Sequence, residues 1–192
     1  MKTILFGFTL MGVFAACNNN APVTKEAAEQ KTNSATTSAA KQSVEKKASE
    51  IKGVVTAYLN IKNALASDDA KDAATGGTTL VEALGKIDEK AFSIAQKKTF
   101  DDVRDDIREN AEHISTNKAR MAHQREHFDM LSKDLYDLVK VINPEQTLYQ
   151  DHCPMYNDGK GANWLSEFKE IKNPYLGKKM PDCGTIKETI TQ

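Results

Sequence analysis

Large apolar side chains recur at intervals that fit an α-helix through the middle of the chain. Such spacing places apolar residues on one face of a helix and leaves the opposite face polar. Four stripes of this kind are visible. Their members are Ile51, Val55, Tyr58, Leu59 and Leu65; Ala73, Leu80, Leu84 and Ile87; Phe100, Val103, Ile107, Ala111 and Ile114; and Met121, Phe128, Leu131, Leu135, Leu138 and Ile142. The pattern predicts four consecutive helices.

Polar and helix-breaking residues separate these stripes and predict where the helices end. The first ends at 67–69, the third at 115–117, and the fourth at Asn143-Pro144 because proline cannot continue a helix. Gly76-Gly77 is predicted to fray or kink the second helix, since each glycine inside a helix costs roughly 1 kcal/mol relative to alanine. Four helices with short connections favour an antiparallel four-helix bundle over residues 44–143. Because no alternation of period two is visible, the sequence predicts an all-α fold.

The C-terminal segment, residues 144–192, differs in composition from the helices before it. It contains four of the five prolines, two of the three cysteines and the single tryptophan, Trp164. We expect an irregular segment that packs on the bundle, since it has no periodic core of its own. Trp164 and Tyr175 are interpreted as core anchors of this segment, and residues 185–190 as a short helix-like end.

The first residues of the chain carry the pattern of an export signal. Lys2 is followed by an apolar run too short to span a membrane, and then by small residues. Phe14-Ala15-Ala16-Cys17 resembles a lipobox, in which the cysteine is acylated and becomes N-terminal. The alternative is an ordinary secretory signal that leaves the cysteine as a spare thiol. We expect a signal peptide over 1–16, a lipid on Cys17 and a disordered tether over 17–43, which has few large apolar side chains.

The overall charge of the chain excludes some classes of partner. Lys and Arg together number 26 and Asp and Glu 27, which gives a formal net charge of −1 at pH 7. No nucleic-acid partner is expected, because such proteins usually carry a basic surface. The sequence also contains no nucleotide-binding loop, no serine nucleophile elbow and no paired carboxylates typical of a hydrolase. We therefore predict no catalytic residues and no enzyme activity.

Two cysteines and two methionines in the C-terminal segment form a first candidate site. Cys153, Met155, Met180 and Cys183 offer two thiolates and two thioethers, and soft ligands of this kind select Cu(I). The alternative is a Cys153–Cys183 disulfide, common in exported proteins, with both methionines as packing residues. A disulfide that closes a loop of this length stabilises the fold by roughly 3–4 kcal/mol. The sequence leaves both interpretations open.

Several polar residues of the fourth predicted helix border its apolar face. His127 can complete a metal site with the cysteine segment packed above it, or it can be a hydrogen-bonded structural residue. His123 and His127 also match the H-x-x-E-H pattern of one group of zinc proteases, but the chain is too short for such an enzyme, and we interpret this match as chance. Arg125 is expected to clamp the C-terminal segment by bonding loop carbonyls or a carboxylate such as Asp105 or Glu109.

Longer motifs give the chain a resemblance to a known family. They comprise Ala57–Leu65, Ala111–Ile114, Gln124–Ser132, Tyr149–Met155, Gly161–Ser166, Ile171–Gly177 and Met180–Gly184. With these motifs, residues 51–190 resemble a bacterial envelope domain, the domain of unknown function 3347. That domain occurs alone in lipoproteins and fused to the periplasmic adaptor subunits of heavy-metal efflux pumps. The resemblance implies a role near metal export, and His113 and His127 are the histidines in its helical motifs.

A shorter similarity points in the same direction. Cys153-Pro154-Met155 and Cys183-Gly184 are similar to parts of small heavy-metal-binding modules, with Met180 where such a module has a cysteine. We therefore expect a periplasm-facing lipoprotein, anchored in the outer membrane, that binds Cu(I) or a similar soft metal and passes it to a heavy-metal efflux adaptor. The expected ligands are Cys153, Met155, Met180, Cys183, His127 and His113. The alternative is a non-catalytic structural or interaction module of the envelope whose fold is cross-linked by a Cys153–Cys183 disulfide.

Overall fold

The computed structural model describes residues 33–142 and 146–191, with side chains from residue 50 onward. The predicted signal peptide and Cys17 therefore lie outside the described residues. The described helices are α1 (Asn33–Ala66), α2 (Ala70–Leu84), α3 (Ile94–Thr116) and α4 (Met121–Ile142), and the described strands are β1 (Leu148–Cys153), β2 (Ala162–Ser166) and β3 (Thr185–Ile190). The fold is mixed α/β, and the all-α prediction is wrong.

The helices follow the apolar stripes, and consecutive helices pack against one another along the chain. Helix α1 begins at Asn33, so residues 33–43, which the sequence assigned to the tether, are helical. Six of these eleven residues are Asn, Ser or Thr, which have only modest helix propensity, so composition did not predict a helix here. No helix in the described part of the chain is long and apolar enough to cross a membrane.

Gly76 and Gly77 lie inside a continuous helix α2, so the predicted fraying or kink is wrong. Both glycines are buried, and a Cβ atom at Gly76 would lie 2.7 Å from Cγ1 of Ile61 in α1. A Cβ atom at Gly77 would lie 2.7 Å from the carbonyl oxygen of Ala111 in α3. The two glycines therefore allow α2 to pass closely between its neighbouring helices.

The three strands form one antiparallel sheet in the order β2-β1-β3. The pairing of β1 with β3 has an irregularity between Gln150 and Asp151. Leu148, Asp151 and Cys153 are the buried residues of β1, a pattern that departs from alternation and whose central member is polar. In β3 only Ile190 is buried. These features explain why period-two alternation is absent from the sequence, and residues 185–190 form a strand and not a helix-like end.

Aromatic side chains join the sheet to the helices, with β2 packed on α4. The Tyr58 hydroxyl accepts a hydrogen bond from the backbone N–H of Leu165 at 3.0 Å and lies 2.7 Å from the Ser132 hydroxyl. Trp164 and Tyr175 are buried, and their rings meet edge to face with centroids 5.9 Å apart. The C-terminal segment thus shares one core with the helices.

Arg125 links α4 to two loops. Its Nε atom donates to the carbonyl oxygen of Pro174 at 2.7 Å, and a terminal nitrogen donates to the carbonyl oxygen of Leu65 at 3.0 Å and to Asp68 at 2.6 Å. The carboxylate partner is thus Asp68, not Asp105 or Glu109 as expected from the sequence. Gly177 has φ +53, and a Cβ atom there would lie 2.1 Å from Asp68 and 2.5 Å from the arginine, so only glycine fits beside this ion pair.

Candidate metal centre

Three histidines from two helices meet on the α3–α4 face. One nitrogen from each of His113, His123 and His127 can be chosen so that the three atoms lie within 4.8 Å of one another. Histidine nitrogens bind a metal such as zinc at 2.0–2.1 Å, so two ligands of a tetrahedral ion lie about 3.3 Å apart. The lone pairs of parallel rings cannot point at one ion, and the His113 and His127 rings lie only 6° from parallel. Closing the three nitrogens around one ion therefore requires the His113 ring to turn out of this stack.

The local structure explains why these side chains meet. His123 and His127 are four residues apart in α4, so they lie on one face of the helix. His113 lies in the last turn of α3, and only residues 117–120 separate that helix from α4. The His113 and His127 rings stack with centroids 4.2 Å apart, and the His123 ring stands edge-on to His127 at 4.5 Å.

Asn110 fixes which nitrogen of His127 is available. The Asn110 amide nitrogen donates to the carbonyl oxygen of Asp106 at 2.9 Å, so the amide oxygen must be the atom that lies 3.0 Å from His127 Nδ1. An amide oxygen only accepts, so Nδ1 carries the proton and Nε2 keeps its lone pair. A hydrogen bond of this kind is the usual way in which a protein orients a metal-binding histidine.

The charges around the histidine cluster favour the binding of a cation. Burial lowers the pKa of His127, and the neighbouring His113 and His123 rings lower it further. The lowered pKa favours the neutral imidazole, which is the state that binds a metal. Glu126 lies 3.3 Å from Nδ1 of His123, and Glu109 lies 3.9 Å from Nε2 of His113. Two carboxylates thus supply negative charge beside the nitrogens.

Solvent reaches the histidine cluster. The side chains of His113 and His123 are 44% and 25% exposed, and His127 is partly buried. Three protein ligands leave at least one coordination position of a tetrahedral ion for another ligand, an arrangement that structural sites with four protein ligands lack. An ion held here can therefore be exchanged with a partner without unfolding the helices.

The sulfur residues occupy a different part of the fold. The Sγ atoms of Cys153 and Cys183 lie 3.3 Å apart, with Cys153 buried and Cys183 partly buried. Their hydrogen bond and burial raise the pKa of the Cys183 thiol. Met155 is 59% exposed and Met180 is 39% exposed. The structure therefore brings the two thiols together but leaves both methionines at the surface.

The predicted ligands are thus divided between two places. Among the described residues, the group of three potential ligands that converges contains only the histidines, and no cysteine joins it. His113 and His127 were expected to join the cysteines, but they lie together with His123, which was interpreted as part of a chance H-x-x-E-H match. The sequence did contain an indication that His123 belongs to a cluster. His113 lies at the end of the preceding helix, and only a short turn separates it from the helix that carries His123.

Comparisons with known proteins place most of the helical region in one family. The family model described as "Protein of unknown function (DUF3347)" matches residues 54–147. This matched segment belongs to the family, contains all three histidines and ends immediately before β1. The C-terminal motifs, which the resemblance over residues 51–190 included, lie beyond the match. No curated protein and no solved structure matches the chain.

Proposed function

We propose that this protein is a metal-binding protein of the bacterial envelope that takes up copper at His113, His123 and His127 and passes it to an efflux system. The convergence of three ligand nitrogens within 4.8 Å on two adjacent helices carries the proposal. The fixed tautomer of His127 and the partial exposure of the cluster support binding that is specific and yet exchangeable.

Copper is the metal that we propose for this donor set. Imidazole suits zinc, copper, iron and nickel, and among divalent first-row ions the affinity of a given site peaks at Cu²⁺. The site differs from the sulfur-rich Cu(I) site first expected, because the donors that converge are nitrogens. The proposal therefore extends to both oxidation states of copper, with zinc as the main competitor.

The location and the partner belong to the same proposal. The lipobox-like residues ending at Cys17 favour a lipid-anchored protein of the periplasmic side, and the resemblance favours a heavy-metal efflux adaptor as the recipient. A Cys17→Ser variant of the full-length chain tests the anchor. We expect it to move from the membrane fraction to the soluble envelope fraction, whereas an unchanged membrane fraction would contradict lipid anchoring.

Metal titration of the full-length chain in detergent, against a competing chelator, tests the binding. We expect one copper ion per chain, with weaker competition by zinc. His113→Ala/His127→Ala should lose at least tenfold in affinity. His152→Ala is the matched control, because His152 bonds Asn163 at 2.8 Å outside the cluster. Equal affinity of wild type and the double histidine variant would overturn the proposal, as would a loss confined to Cys153→Ser/Cys183→Ser.

A further inference from the structure

Cys153 and Cys183 are positioned for a covalent modification. Cys153 ends β1, and Cys183 lies in the loop that leads into β3, so the two residues are 30 positions apart in sequence. Their Sγ atoms lie 3.3 Å apart. A disulfide bond is about 2.05 Å long, so the two sulfur atoms need to approach by only about 1.2 Å to form one.

The backbone around both cysteines holds them together without help from the sulfur atoms. Cys153 is paired with Ala162 of β2 in the sheet. The Cys183 carbonyl oxygen accepts a hydrogen bond from the amide nitrogen of Asn173 at 2.5 Å, and the Asn173 backbone N–H donates to Pro181 at 2.9 Å. Asn173 is itself fully buried. The proximity of the thiols is therefore a property of the fold.

We infer that Cys153 and Cys183 are joined by a disulfide in the mature protein. This inference rests on the proposed envelope location, where thiols are oxidised, but not on metal binding. It assigns the two sulfur atoms a structural role. The loop between the cysteines, which carries Met155 and Met180, is then closed covalently, and the histidine cluster is left as the metal site.

The exposures of the two cysteines suggest the order of the chemistry. Cys183 is partly exposed and Cys153 is buried, so Cys183 is the thiol that an oxidant reaches first. Its thiolate attacks the disulfide of an envelope thiol–disulfide oxidoreductase, forms a mixed disulfide and releases one thiol of that oxidant. The Cys153 thiolate then attacks the Cys183 sulfur and releases the second thiol. The two cysteines lose two protons and two electrons, and the oxidant disulfide becomes a dithiol.

Peptide mapping of the full-length chain tests this inference. Cells that express it are quenched in acid, free thiols are alkylated under denaturing conditions, and the purified protein is digested without reductant. We expect the peptides that contain Cys153 and Cys183 to be recovered mainly as one cross-linked species. Recovery of both cysteines in alkylated form would overturn the inference. The Cys183→Ser variant is the control, because its Cys153 must appear alkylated.

Thermal unfolding provides a second and independent readout. A disulfide over a loop of this size should raise the unfolding temperature by roughly 10 °C, and reductant should remove that increment from the wild type. The same reductant should leave Cys153→Ala/Cys183→Ala unchanged. Equal unfolding temperatures of the wild type with and without reductant would contradict the inference. The His113→Ala/His127→Ala variant should keep the cross-link, which separates this result from failure of the metal site.

Discussion

The Nδ1 atom of His127 lies 3.0 Å from the side-chain oxygen of Asn110, across the interface between α3 and α4. Asn110 is buried, and its amide nitrogen is bonded to the carbonyl oxygen of Asp106 one turn earlier. The asparagine therefore cannot rotate without losing one of two hydrogen bonds. This relationship makes Asn110 a positioning residue for the proposed metal site.

Substitution of Asn110 by alanine should weaken copper binding although the three histidines remain. Loss of an outer hydrogen bond to a metal-binding histidine typically costs 10–100-fold in affinity, and we expect a loss in that range. Competition titration of the full-length chain measures it. Asn60→Ala, at an exposed position of α1, is the matched control and should leave the affinity unchanged. An Asn110→Ala protein that binds copper like the wild type would refute the positioning role.

The close packing around Gly77 in α2 predicts how its substitution changes the stability of the fold. Gly77→Ala should lower the free energy of unfolding by about 1–2 kcal/mol, because overpacking against the Ala111 carbonyl outweighs the gain of about 1 kcal/mol in helix propensity. Gly53→Ala is the matched control. Its Cβ atom would lie 3.8 Å from Cβ of Ala83, an ordinary contact, so it should gain up to about 1 kcal/mol.

Denaturant unfolding of these two variants beside the wild type measures both changes. A stabilised Gly77→Ala protein would mean that α2 does not need a close approach to α3. Because Gly77 lies against Ala111 and Ser115, which flank His113 in α3, we also expect Gly77→Ala to weaken copper binding, while Gly53→Ala should not.

A buried carboxyl group predicts how stability depends on pH. Asp151 is fully buried, and no described residue donates a hydrogen bond to either of its oxygens. Burial raises its pKa to about 7, and the charge of Lys62 opposes this rise. Between its ordinary pKa of 3.8 and about 7 the folded protein binds a proton that the unfolded chain has released. The stabilisation from this proton is therefore complete below pH 4 and lost as pH rises to 7.

Replacement of Asp151 by asparagine tests whether this carboxyl group lowers stability as pH rises. The stability of Asp151→Asn relative to the wild type should increase as pH rises from 4.5 to 7.5, at a slope approaching about 1.4 kcal/mol per pH unit, and then level off. Asp158→Asn, an exposed position in the turn after β1, is the control and should show no such trend. Denaturant unfolding at each pH gives the comparison, and a constant difference across the range would contradict the prediction.

The helices could be predicted from the sequence because their stability comes from continuous apolar stripes. The ends of α1, α3 and α4 at Ala66, Thr116 and Ile142 agree with the predicted breaks. The beginning of α1 at Asn33 could not be predicted in this way, since that stretch has no apolar stripe and many Ser and Thr residues. The effect of Gly76-Gly77 was also misjudged, because helix propensity does not report how closely a neighbouring helix approaches.

The sheet was missed for physical reasons that lie in two of its strands. The irregularity at Gln150/Asp151 disrupts alternation in β1, and its inward residue at that point is an aspartate. Strand β3 buries only Ile190, so its apolar pattern is too weak to indicate a face. Pairing with β1 determines its structure, and such pairing between distant segments cannot be inferred from local periodicity.

The candidate site was predicted in part. His113 and His127 were named through the resemblance, but the cysteine segment was expected to complete their site. His123 takes that place because the turn between α3 and α4 is short enough to bring the end of one helix to the start of the next. Local spacing indicated the α4 pair, whereas the contribution of α3 required knowledge of how the two helices pack.

X-ray absorption at the copper edge of the copper-loaded, full-length protein identifies the atoms bound to the metal and so decides whether the histidines hold it. We expect a first shell that contains nitrogen, the outer-shell scattering of imidazole rings and no sulfur, and loss of the imidazole signal in His113→Ala/His127→Ala. A first shell that contains sulfur, or a spectrum unchanged in that variant, would contradict copper binding by the histidines.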